Sequence, residues 1–254
     1  MCSWRVLLGL ATTLFPHNVS ANNNSNNEVV DFLKLHDNHC DNCNLNNPEE
    51  LNRKITSEEI INAISALPKG KAPGADGIII EMLKHTTQFI TPILLILFNK
   101  ILESGVFPDD WARALIIPLL KKGAVNDPNN YRGISLCSIL NKVFMKILYN
   151  RLSKWVENNN ILGEEQAGFR KARSTTDNIF AFQCLIQKYL SKKGGRCYSL
   201  FVDFSKAFDS VPHNLLWYKM INIGIHGNII KVLQSMYSKL ESAIVSKEGT
   251  SEFF

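Results

Sequence analysis

The sequence predicts an α+β fold. Two capping boxes, Thr56-x-x-Glu59 and Ser174-x-x-Asp177, each open a run of apolar residues at helical spacing. Two strand signals accompany them. One is the pair Ala114–Leu120 and Tyr131–Leu136 around a Lys-Lys-Gly turn; the other is the apolar run Cys197–Phe204 behind Gly194-Gly195. Strands separated by long helices make an α+β domain, and 254 residues hold one large domain or two small ones.

In chain order, residues 1–52 do not belong to that pattern. Met1–Arg5, the apolar run Val6–Phe15 and Val19-Ser20-Ala21 have the form of a secretory signal peptide, too short for a membrane span. The same residues also read as an apolar leader without a role. Residues 18–52 hold a dozen asparagines and little apolar periodicity, which predicts a disordered linker. Within it, His36-x-x-His39 and Cys40-x-x-Cys43 have zinc-ligand spacings, but the pairs abut without a finger-length loop, so a plain polar linker is the simpler reading.

Order is predicted from Thr56. A first helix carries Ile60, Ile61, Ile64 and Leu67, and Lys69–Gly74 breaks it. A second helix is expected over residues 78–88. A third starts at Thr91-Pro92, with Thr91 as N-cap, and ends at Gly105. After the Ala114–Leu136 hairpin, Leu140, Phe144, Ile147, Leu148, Leu152 and Trp155 mark a long amphipathic helix. Helices at about 175–190, 213–223 and 228–240 complete the reading.

Composition narrows the class. With 45% apolar and 20% charged residues the chain is an ordinary globular protein. Residues 1–51 carry two basic and six acidic side chains, which leaves 26 basic against 17 acidic, a balance of +9, for residues 52–254. That balance suits a polyanionic partner. Six cysteines form no regular framework, and Cys137, Cys184 and Cys197 fall in apolar stretches as small hydrophobes, so an intracellular, reduced protein without a membrane association is expected.

The chemistry gathers at Leu200-Phe-Val-Asp-Phe-Ser-Lys-Ala-Phe-Asp-Ser210. A strand apolar on both faces belongs inside a sheet, and an ionised Asp203 at its end requires a compensating cation, for which a bound metal is the natural candidate.

Four segments in order resemble the reverse transcriptases of non-LTR (LINE-type) retrotransposons. They are Lys69-Gly-Lys-Ala-Pro-Gly-Ala-Asp-Gly-Ile78; Trp111 through Ile116-Ile-Pro-Leu-Leu-Lys-Lys-Gly123 with Asp127-Pro-Asn-Asn-Tyr-Arg-Gly-Ile-Ser-Leu136; Gln166-Ala-Gly-Phe-Arg170 with Ser174-Thr175; and Phe201-Val-Asp-Phe-Ser-Lys-Ala-Phe-Asp-Ser-Val-Pro-His213. The resemblance runs from about residue 54 to the C-terminus. It implies a right-hand polymerase, with fingers over about 53–195 and the start of an incomplete palm over about 196–254. The implied activity is RNA-directed DNA polymerisation on an RNA template and DNA primer, with deoxynucleoside triphosphates and Mg²⁺.

The resemblance also implies roles. Asp203 is the first metal-binding, catalytic aspartate, with the Phe204 main-chain oxygen as a further ligand at the nucleotide. Phe208 is the aromatic gate against a ribose 2′-hydroxyl, or else a purely structural side chain. Asp209, six residues past Asp203 and followed by a turn, reads from its position as the cap of the Pro212 helix rather than as a metal ligand. Lys121, Lys122 and above all Arg132, whose guanidinium can fork a phosphate, close over the triphosphate. Lys69 and Lys71 contact template or primer phosphate, or else belong to a solvated loop. Gln166 and Arg170 face the template, while Phe169 either stacks on a base or packs in the core.

The family's second metal-binding segment, an aromatic-x-Asp-Asp hairpin, has no counterpart after Asp209. Asp109-Asp110 comes far too early to be it. The expectation is therefore a C-terminally truncated reverse transcriptase, inactive alone. The rival readings are a catalytically dead nucleic-acid-binding remnant, a secreted protein using the leader and the His36–Cys43 cluster and, within the polymerase class, a group II intron-type enzyme.

Overall fold

The first helix grows from its cap. Thr56 is extended, its hydroxyl accepts from Glu59 N–H, and the Glu59 carboxylate returns to Thr56 N–H at 3.0 Å. This closes the predicted box at the head of Ser57–Ala66. In this computed structural model, residues 49–204, 211–246 and 249–254 are described. The leader, the His36–Cys43 cluster, Phe208 and Asp209 lie outside them.

The helices are α1 (Glu49–Asn52), α2 (Ser57–Ala66), α3 (Ile80–His85), α4 (Thr87–Ser104), α5 (Asp109–Ala112), α6 (Ile139–Asn158), α7 (Thr175–Leu190), α8 (His213–Asn222) and α9 (Asn228–Ser238). The strands are β1 (Arg113–Leu120), β2 (Tyr131–Cys137), β3 (Glu241–Ser246) and β4 (Gly249–Thr250). Among the described residues no helix is long and apolar enough to cross a membrane.

Two compact units divide the described chain: residues 49–155 with 220–254, and residues 156–219. In the first, the sheet order is β2-β1-β3-β4. β1 and β2 pair antiparallel, from Ala114 opposite Cys137 to Leu120 opposite Tyr131, as the alternation predicts. β3 was not foreseen. It lies parallel to β1, Arg113 opposite Glu241 through Ile116 opposite Ile244, and pairs antiparallel with β4. In the same unit, Phe98 of α4, Phe107, Trp111 of α5 and Phe144 of α6 make an aromatic cluster with centroids 5.2–6.3 Å apart. Ile229, Val232, Leu233 and Met236 bury one stripe of α9.

Three expectations need correction. Thr91 is not a cap: α4 begins at Thr87, Pro92 lies inside it, and Thr91 is buried. The hydroxyls of Thr86, Thr87 and Thr91 instead donate back to the carbonyls of Met82, Leu83 and Thr87 at 2.7–2.9 Å, which holds the helical path where a cap would end it. Ordered structure also starts earlier than Thr56, because Leu51 of α1 is fully buried and the Asn52 amide bonds His226 O and Ile229 N.

The third correction concerns the second unit. Its α7 opens at the Ser174 box as predicted, but Cys197–Phe204 is neither strand nor buried. Tyr198, Leu200 and Phe201 are 82–89% exposed. No described strand pairs with this stretch, so its alternate side chains have no layer to pack against. Phe182 of α7 meets Phe201 edge-on at 5.9 Å. Of the three cysteines expected to pack, Cys137 is buried, whereas Cys184 and Cys197 are exposed thiols.

Candidate nucleotide and nucleic-acid interface

The β1–β2 hairpin sets out the first group of candidates. Its turn is closed by Lys121 N–H to Asn130 O at 2.8 Å, Asn130 Nδ2 to Ala124 O at 3.0 Å and the Tyr131 hydroxyl to Val125 O at 3.0 Å. Asp127 caps the short 3-10 turn at Pro128–Asn130. Arg132 lies opposite Leu119, and alternation places Ile117 and Ile134 on that same face, with Lys121 one residue past the strand. Leu119 is 55% exposed and Ile134 40%. An exposed apolar strip thus runs up to Arg132 and Lys121.

The Lys69–Ile78 loop meets the other end of β2. Gly74 is buried, and a β-carbon on it would lie 2.6 Å from the Cys137 carbonyl carbon and the Ser138 nitrogen. Only glycine admits that backbone approach. Gly70 takes a positive φ of 69° and gives its N–H to Glu81 at 2.6 Å; that bond, foremost, holds the Glu81 carboxyl below its ordinary pKa. Lys69 and Lys71 stay exposed on this anchored loop.

Gln166, Arg170, Asp203 and Phe204 belong to the second unit. Arg170 does not face solvent: 8% of its side chain is exposed. Its Nε and Nη2 fork the Glu157 carboxylate at 3.0 and 2.8 Å, and Nη1 donates to Gly163 O at 2.9 Å. The pair lowers the Glu157 pKa and raises that of Arg170. The Gln166 amide donates to Gly168 O at 3.3 Å, while its buried Oε1 has no partner. Sequence reading missed Glu157, because a partner thirteen residues before Arg170 leaves no periodic signal.

Asp203 is exposed, which removes the physical argument for a cation: a carboxylate left in water carries no burial cost for a metal to offset. Nor do the described residues complete a magnesium site. They contain no group of three or more His, Cys, Asp or Glu side chains able to hold a metal ion, and Mg²⁺ gives up water only for a well-placed ligand set.

The sequence pattern of the reverse transcriptase (RNA-dependent DNA polymerase) family matches residues 119–254, more than half of the chain and all of β2 to β4. The chain belongs to the reverse transcriptases. This reverse transcriptase chain is 34% identical over 164 residues to the probable RNA-directed DNA polymerase from transposon BS of Drosophila melanogaster, covering 64% of the chain and 18% of that relative. It is 31% identical to the RNA-directed DNA polymerase from mobile element jockey of the same species, over 65% of the chain and 18% of the relative. With the Pol polyprotein from type-1 retrotransposable element R1 of Bradysia coprophila the identity is 29%, over 66% and 16%. These relatives belong to non-LTR retrotransposons, and the chain spans under a fifth of their length.

Proposed function

We propose that the chain forms the fingers and the first part of the palm of an RNA-directed DNA polymerase from a non-LTR retrotransposon. The family match over residues 119–254 carries the reading. The hairpin supports it, since Arg132 and Lys121 beside exposed Leu119 and Ile117 suit a ligand that joins phosphate to a flat base. In this reading Lys121 and Arg132 hold the triphosphate, Lys69 and Lys71 the nucleic-acid backbone, and Asp203 and Phe204 the catalytic end. Mg²⁺ would supply charge neutralisation in such an enzyme, but its ligand set is not completed by the described residues.

Residues 210–254 contain no aspartate. We therefore propose that these 254 residues by themselves bind template–primer without extending it. The test is a labelled RNA template annealed to a DNA primer, titrated with the purified chain and then supplied with Mg²⁺ and deoxynucleotides. Binding that weakens steeply with salt and drops further in K121A/R132A is the expected result. Template-dependent extension would overturn the inactivity, and absence of binding would overturn the polymerase reading.

A further inference from the structure

The loop between α6 and α7 is built in an unfavourable conformation around one guanidinium. Asn160, Phe169 and Ala172 have φ of 51°, 63° and 58°, the left-handed region that costs any residue with a β-carbon, and a bulky one most. The buried Gln166 Oε1 lacks a donor. Glu157 stands in the last turn of α6, where the helix dipole disfavours an acid. Each of these is a local liability, and Arg170 lies among them, bonded to the Glu157 carboxylate and to the Gly163 and Gln166 carbonyls. Its fork on Glu157 ties the loop to the helix, and its Nη1 bonds to Gly163 O and Gln166 O (3.4 Å) fix the turn's start. Arg173 pairs with Glu164 at the outer edge. The segment so held presents Phe169, 39% exposed.

We propose that Arg170 is a positioning residue, not a phosphate contact. Clamped by Glu157, it holds the 163–172 loop so that Phe169 offers its ring to an unpaired base of single-stranded RNA. This rests on the reading of the chain as an RNA-directed polymerase domain, and it departs from the direct template contact expected of Arg170. A phosphate ligand has nothing to gain from a fork whose donors are already taken, whereas a stacking platform gains from a rigid backbone.

The experiment uses the whole chain, a fluorescent single-stranded RNA of mixed sequence, and the variants E157Q, R170Q and R170K. E157Q and R170Q should each weaken binding about tenfold, with the wild-type salt slope retained and the double variant no worse than either single one. R170K should fall with them, because an ammonium cannot replace the fork. Hydrogen exchange of the 161–172 amides should quicken in all three. The proposal is overturned if R170Q lowers the salt slope by about one while E157Q and R170K bind like wild type, which is the signature of a phosphate contact. If the wild-type chain binds no RNA, the functional reading fails instead. The clamp is then judged by exchange alone: faster exchange in E157Q and R170Q upholds it, and unchanged exchange sinks it.

Discussion

Arg151 shows how much one side chain can fasten. Only 3% of it is exposed, and it forks Glu59 at 2.8 and 2.9 Å. Its remaining protons go to the carbonyls of Leu51, Arg53 and Lys54 at 2.6–3.1 Å. It thus joins α6 to α1, to the following loop and to the capping box of α2. R151A would strip the fork from the largely buried Glu59 carboxylate, leaving it only Thr56 and Arg53, and would take the guanidinium donors from three carbonyls, so a loss of about 3–5 kcal/mol is expected in urea denaturation. Burial alone raises the Glu59 pKa most, but the Arg151 hydrogen bond, the Thr56 N–H and the charges of Arg151 and Arg53 together hold it below its ordinary 4.5. A depressed folded pKa contributes stability that is complete above 4.5 and fades as pH falls through the lower folded value. Wild type should therefore lose stability on acidification below that point. E59Q, less stable at neutral pH, should show a shallower loss over the same window. Equal slopes in the two proteins would refute the assignment.

At the scale of elements, Gly74 joins a loop to a strand. A β-carbon there meets backbone atoms of Cys137 and Ser138, which cannot rotate away as a side-chain tip would. G74A should cost about 1–3 kcal/mol, as overpacking does, and should shift the Lys69–Lys71 loop, seen as changed amide resonances at residues 69–77 and 137–138. An unaltered melting curve would show that the loop yields freely. What the sequence revealed at this scale was whatever is local. The boxes at Thr56 and Ser174 and the β1–β2 hairpin depend on neighbours within a few to about twenty residues, and all three formed as read. Two local signals misled. Thr91-Pro92 has the look of a helix start, but threonine hydroxyls can satisfy a helix from within as well as cap it. The Cys197–Phe204 composition suits a buried strand, but composition cannot provide a pairing partner. β3 escaped notice because its contact with β1 spans 128 residues (Arg113 Nε to Glu241 at 2.9 Å) and no periodicity encodes it.

For the molecule as a whole, the motifs disclosed the family, while the geometry fixes where individual residues stand and what they touch. Arg132 proved to lie opposite the exposed Leu119, one residue short of the turn that carries Lys121, because hairpin register is legible in alternation. Arg170 proved to be engaged by Glu157, and Asp203 to be exposed, because burial is a property of the entire fold. The same consideration governs solubility. Residues 197–202 (Cys-Tyr-Ser-Leu-Phe-Val) carry no charge and no proline, favour extended backbone, and expose Tyr198, Leu200, Phe201 and Val202 by 61–89%. Such a segment is a template for intermolecular strand pairing. The net charge of +5 opposes association only weakly, since salt screens it beyond about 10 Å at 0.1 M. The purified chain should accordingly self-associate more as salt rises, the reverse of its expected response to RNA. L200K/V202K, which places two like charges on alternate positions of one would-be strand face, should block that pairing and shift light scattering toward the monomer mass at equal protein concentration. If the double variant associates as strongly as wild type, another apolar surface drives the association; the exposed Leu119 and Ile134 on the hairpin then become the next residues to charge.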